Sequence, residues 1–110
     1  MSSDTSKLEQ LKELAQLEPD DPVVHYGLGV EYLRAGDPQN AAAALRRAVE
    51  LKPDYSAAYR ERGKALAKLG QSEEARATYE EGKRIAQQKG DLQTAKEIEV
   101  FLRRLSGGHE

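Results

Sequence analysis

The sequence predicts an all-α stack of antiparallel helix pairs, about six helices in all, and three observations carry that reading. The first is an internal echo: LEPDDP, beginning at Leu17, returns 34 residues later at Leu51 as LKPDYS. The same shift carries Pro19 onto Pro53, Asp20 onto Asp54, Gly29 onto Gly63, Gly36 onto Gly70, Ala41 onto Ala75 and Leu51 onto Ile85. So many coincidences in one register mean a tandem repeat. The second is apolar spacing at the helical period within each copy, with no alternating β-branched run. The third is composition: 38% of the 110 residues are hydrophobic, yet there is one Phe and no Trp. A core built from Ala, Leu, Val, Ile and Tyr suits closely packed helices better than a thick sheet sandwich.

Taken in order, residues 1–5 form a disordered N-terminus and residues 6–18 a single helix. Its Leu8, Leu11, Leu14 and Leu17 share a face behind a capping box at Ser6 and Glu9, as in the second helix of an incomplete earlier repeat. The first full copy spans 22–55. Val24, Leu28, Tyr32 and Ala35 line one helix, and Ala41, Leu45, Ala48 and Leu51 the next. Asp21–Pro22 and Asp37–Pro38 each pair an N-cap with proline at the first helical position. The second copy spans 56–89, with Tyr59, Gly63, Leu66 and Leu69 on its first helix and Ala75, Tyr79, Gly82 and Ala86 on its second. Asp54 and Ser72 are the expected caps there. Gly36 and Gly70 stand where a helix ends in the left-handed conformation. Gln87 replaces a proline, so the last repeat helix should run to about Lys89, where Gly90 stops it. Asp91 then caps a final helix over 91–105, whose Leu92, Ala95, Ile98, Phe101, Leu102 and Leu105 would cover the second copy. Residues 106–110 make a disordered tail.

A 34-residue helix–turn–helix unit of this kind resembles the tetratricopeptide repeat (TPR), whose pattern is W-x2-L-G-x2-Y followed by Ala, an aromatic or Leu, Ala and Pro. Copy one matches through Leu28, Gly29, Tyr32, Ala41, Leu45, Ala48 and Pro53, with His25 in the aromatic slot. Copy two matches through Tyr59, Gly63, Ala75 and Tyr79, and departs at Arg62, Leu66, Gly82 and Gln87. The resemblance implies a right-handed superhelical stack that packs through these positions. It extends to small stand-alone bacterial TPR proteins.

Other function classes find little support. A net charge of −2 does not draw the chain to nucleic acid or an anionic membrane. Arg46–Arg47 and Arg103–Arg104 lack the base-stacking platform of an RNA reader. There is no cysteine, no signal-peptide core and no run near the ~20 apolar residues of a membrane span, so a soluble cytoplasmic protein is expected. Gly27, Gly29 and Gly36 are not a dinucleotide loop, because Tyr32 holds the place of the required glycine and no strand precedes them. Gly29 and Gly63 instead suggest close backbone approach between the two helices of one repeat. His25 and His109 have no triad or metal-ligand partners, and Glu73–Glu74 and Glu80–Glu81 read as helix-dipole and solubility residues. No enzyme activity, metal or cofactor is expected.

The resemblance also implies a concave groove lined by the first helix of each repeat. Its positions fall on Tyr26, Val30, Leu33 and Arg34 in copy one and on Arg60, Lys64, Ala67 and Lys68 in copy two. Arg60, Lys64 and Lys68 form an i, i+4, i+8 basic stripe beside the apolar Tyr26, Val30 and Leu33. Such a surface suits a protein segment with acidic and apolar side chains, and reversing Arg60 and Lys64 should weaken its binding without unfolding the chain. The carboxylate clamp of chaperone-binding TPR proteins does not carry over, since Tyr26 and Val30 stand at its Lys and Asn positions. Two readings compete: an ordinary solvated stripe, and a homodimer formed through the terminal helices around Phe101.

Overall fold

Sequential helices, each antiparallel to the last, build the fold of the described residues. The computed structural model describes residues 3–107, with side chains from Lys7 onward. Six α-helices stand among them: α1 (Ser3–Leu17), α2 (Pro22–Arg34), α3 (Pro38–Leu51), α4 (Ser56–Lys68), α5 (Ser72–Lys89) and α6 (Leu92–Gly107). Each packs on its neighbours in sequence, while α2 also touches α4 and α4 touches α6. Alternate helices therefore lie side by side and present one shared face. This is the right-handed TPR-type stack that the repeat pattern implies.

The turns explain why the pairs close so regularly. After α2 the amide of Asp37 reaches back to Tyr32 O at 2.9 Å and that of Gly36 to Leu33 O at 3.1 Å, with Gly36 at φ +78°. The same double bond recurs after α4, through Gln71 to Leu66 O and Gly70 to Ala67 O, both at 3.0 Å. It recurs again after α5, through Asp91 to Ala86 O at 2.8 Å and Gly90 to Gln87 O at 3.2 Å. These paired bonds satisfy the last carbonyls of each helix and need a glycine in the left-handed region. Without a proline at 87, α5 runs to Lys89 before Gly90 ends it.

N-caps follow the expected pattern in copy one and depart from it in copy two. The Asp21 carboxylate accepts from Val23 N at 2.9 Å, and Asp37 accepts from Asn40 N at 3.2 Å and Asn40 Nδ2 at 2.7 Å. Asp91 accepts from Thr94 N at 3.2 Å. Asp54 and Ser72, however, do not cap. Tyr55 and Gln71 hold the two cap positions with no side-chain bond, and they are the counterparts of Asp21 and Asp37 at the 34-residue shift. Asp54 lies one residue too early and instead pairs with Lys52 at 2.9 Å and Lys89 at 3.6 Å, while Ser72 is already helical. At the ends, α1 begins at Ser3, so Ser6 lies a turn inside it, and α6 continues through Ser106 and Gly107. His109 lies outside the described residues.

The core forms two adjoining clusters. Ala41, Leu45, Ala48, Ala58 and Ala65 make the first, and Leu66, Ala75, Tyr79 and Ile98 the second. The repeat-packing glycines work through side chains rather than backbone approach. A Cβ on Gly29 would overlap the Leu45 side chain, and one on Gly63 would overlap the Tyr79 ring. Leu45 and Tyr79 are themselves 34 residues apart, so one contact is built twice. A polar contact is also built twice: His25 Nε2 lies 2.8 Å from Pro19 O, and the Tyr59 hydroxyl donates to Pro53 O at 2.9 Å. The aromatic slot thus ties each first helix to the loop before it.

Some apolar positions expected to pack do not. Leu14 and Leu17 are 44% and 78% exposed, because α1 packs against α2 alone among the described residues. Leu92 begins α6 and is 62% exposed, and Ala35 lies past the last turn of α2 and is exposed.

Candidate functional site

The face shared by α2, α4 and α6 is organised around Arg60. Its Nε meets Glu61 at 2.7 Å, Nη1 meets Glu97 at 2.7 Å and Nη2 donates to the Tyr26 hydroxyl at 3.2 Å. One guanidinium therefore ties the three helices together. Burial works against its charge, but the hydrogen bond and charge of Glu61 outweigh that and raise its pKa. Burial pushes the Tyr26 phenol up, with Arg60 opposing. Tyr26 also stacks on Tyr55, with centroids 5.1 Å apart. Glu61, itself buried, takes a second partner in Lys64 at 3.0 Å.

The basic stripe is thus largely compensated. Arg60 and Lys64 face Glu61 and Glu97, whereas Lys68 is exposed and has no partner among the described residues. Reversing Arg60 would set three carboxylates together at the junction of three helices. It is therefore a structural position, and its reversal would not be silent for folding as the sequence suggests. Arg34 sits 3.8 Å from Glu31, whose buried carboxylate also meets Lys7 at 3.4 Å. Leu33 packs against the first core cluster and is only half available to a partner.

Two pockets flank the Arg60 junction and divide the remaining groove positions. Tyr26 and Val30 border a pocket of about 430 Å3 closed by Leu11, Leu14 and Val23. Lys64, Ala67 and Lys68 border a second, of about 310 Å3, whose other walls are Tyr79, Phe101, Arg104 and Leu105. The second pocket exists because α6 lies beside α4 as a further first-type helix. Sequence reasoning gave α6 only a covering role and so missed Glu97, Phe101 and Arg104. The available signal was the same shift applied once more, which carries Leu33 through Ala67 onto Phe101. Among the described residues no cluster of His, Asp and Glu converges as a metal site, and no helix is long and apolar enough to cross a membrane.

The chain belongs to the tetratricopeptide repeat family, whose model matches residues 26–90. It is 41% identical over 98 residues to the TPR repeat-containing protein PA0015 of Pseudomonas aeruginosa, covering 89% of this chain and 93% of that one. Among solved structures it is similar to protein BPP2914 of Bordetella parapertussis, at 35% identity and a TM-score of 0.79, covering 92% of this chain and 88% of the other. It is also similar to the first TPR of Spaghetti (RPAP3) bound to the HSP90 peptide SRMEEVD. There the identity is 25%, the TM-score 0.82, and the coverage 92% and 75% of the two chains.

Proposed function

We propose that this chain is a non-catalytic protein-interaction module that holds a segment of a partner protein, bearing acidic and apolar side chains, along the α2–α4–α6 face. One observation carries the reading: a mostly apolar pocket between α1 and α2 takes in Tyr26 and Val30, and a cation-rimmed pocket at Lys64 and Lys68 lies between α4 and α6, with the Arg60 junction joining α2, α4 and α6 between them. The similar Spaghetti domain is bound to the HSP90 peptide SRMEEVD, which supports the holding of a peptide segment by a stack of this kind. A short face buries little area, so affinity of order micromolar is expected.

Selection of a displayed random-peptide library on the immobilised chain tests this. Enriched peptides should carry acidic and apolar residues and lose roughly tenfold in affinity on Val30→Asp. Arg46→Ala, on the exposed side of α3, should leave them unaffected. Enrichment indifferent to Val30→Asp, or none at all, would refute the groove. Self-association through the terminal helices is the second reading, favoured by Leu14 and Leu17, which are exposed on α1. Sedimentation of a monomer across the working concentration range would remove it.

A further inference from the structure

We propose that the pocket between α4 and α6 is a combined apolar and anion subsite. In it, Phe101 and Leu105 seat a large apolar side chain of the partner segment, while Lys68, Arg104 and the Tyr79 hydroxyl hold carboxylate side chains that follow it. This deepens the groove reading and rests on it.

The floor is aromatic and fixed. Phe101 stacks on Tyr79 with centroids 5.7 Å apart and planes within 10°. The Lys64 ammonium and the Arg104 guanidinium stand 5.6 and 5.7 Å from the Phe101 centroid. Lys64 is already taken by Glu61, but Arg104 faces no carboxylate and Lys68 faces no partner among the described residues. Two cations on different helices, neither paired with a carboxylate among the described residues, favour two separate carboxylates over one.

Tyr79 supplies the independent observation. It is only 2% exposed and lines the pocket, yet its hydroxyl has no hydrogen-bond partner among the described residues. Buried tyrosines ordinarily place that hydroxyl on an acceptor. The hydroxyl is not wholly enclosed, and the residue forms part of the pocket wall. Burial first, then the charge of Glu61, pushes the phenol up to about 12, so it stays a donor throughout the physiological range. The pocket at Tyr26 offers no such free cation, because Lys7, the basic residue in its wall, is paired with Glu31 at 3.4 Å. Acidic residues of a bound segment therefore belong at the α6 end.

The test uses the full chain, 15N-labelled, titrated with an amidated heptapeptide that carries a central phenylalanine followed by two glutamates. Amide shifts should concentrate on residues 64–68 and 101–105. Affinity should fall roughly tenfold when glutamine replaces both glutamates, or when Lys68→Glu and Arg104→Glu are combined. Both cations are exposed, so that double variant should keep its fold. Tyr79→Phe, which removes one oxygen, should cost about threefold. A free-acid version of the peptide should bind no better, which separates side-chain carboxylates from a chain terminus. Shifts centred on Tyr26 and Val30 with affinity indifferent to the double reversal would overturn the subsite and leave the groove standing. Shifts confined to the outer faces of α1, α3 and α5 would overturn both. Absence of binding at millimolar peptide would overturn the subsite, with the library selection still deciding the groove.

Discussion

Gly63 and Tyr79 fill the same small volume, and each makes sense only with the other. The ring occupies the space that a Cβ on the glycine would need, and Phe101 stacks on it. Gly63→Ala gains about 1 kcal/mol in helix propensity but forces a Cβ into a ring that cannot swing away. Overpacking of this kind costs ~1–3 kcal/mol, so a net loss of about 1 kcal/mol is expected in chemical denaturation. An unchanged or raised midpoint would mean the ring moves freely. Tyr79 also sets an alkaline limit. Its phenol ionises near about 10 when unfolded and at about 12 when folded. Its contribution to stability is therefore complete below about pH 10 and is lost as pH rises toward 12. Tyr79→Phe should flatten that alkaline decline, and an identical decline in both proteins would place the effect in other groups. The glycine was legible in sequence through its recurrence at 34 residues. What fills the space was not, because spacing gives a position on a helix and not which neighbour reaches it.

At the scale of the element, boundaries written in short-range chemistry were readable. Asp21–Pro22, Asp37–Pro38 and the glycines at 36, 70 and 90 act within a turn of themselves, so the sequence states their effect directly. Asp54 and Ser72 misled because an aspartate or serine one residue from the cap position looks like a cap, yet cannot reach the orphan amides. Arg62 shows the opposite case, a family departure with a visible cost. It stands in the slot that Leu28 fills in copy one. Its guanidinium reaches the Thr78 hydroxyl at 3.3 Å and Glu74 at 3.2 Å, but its Nε is buried with no partner. Arg62→Leu removes that unsatisfied donor and adds apolar burial, while Thr78 can turn its hydroxyl to a carbonyl of its own helix. A stabilisation of about 1 kcal/mol is expected, read as a rise of roughly 4 °C in Tm. A fall in Tm would show that the ion pair outweighs the buried donor.

At the scale of the whole molecule, the repeat period made the stack legible, and with it the face on which Tyr26, Val30, Lys64 and Lys68 lie. The charge state of that face was not legible. Glu61 and Glu97 reach Arg60 from α4 and α6, and a spacing rule applied within one helix cannot see a counter-ion supplied by another. The same blindness hid the pocket walls at Phe101 and Arg104, which arise only when α6 is laid beside α4. The result is a face whose centre is neutralised, with one pocket at its α4–α6 end and another beside Tyr26 between α1 and α2. The most direct test of this account is a crystal structure of the chain with the tightest peptide from library selection. The account predicts peptide density crossing α2, α4 and α6, over the Arg60 junction and into the Phe101 pocket. Density on the opposite side, against α3 and α5, or only between two copies of the chain, would contradict it.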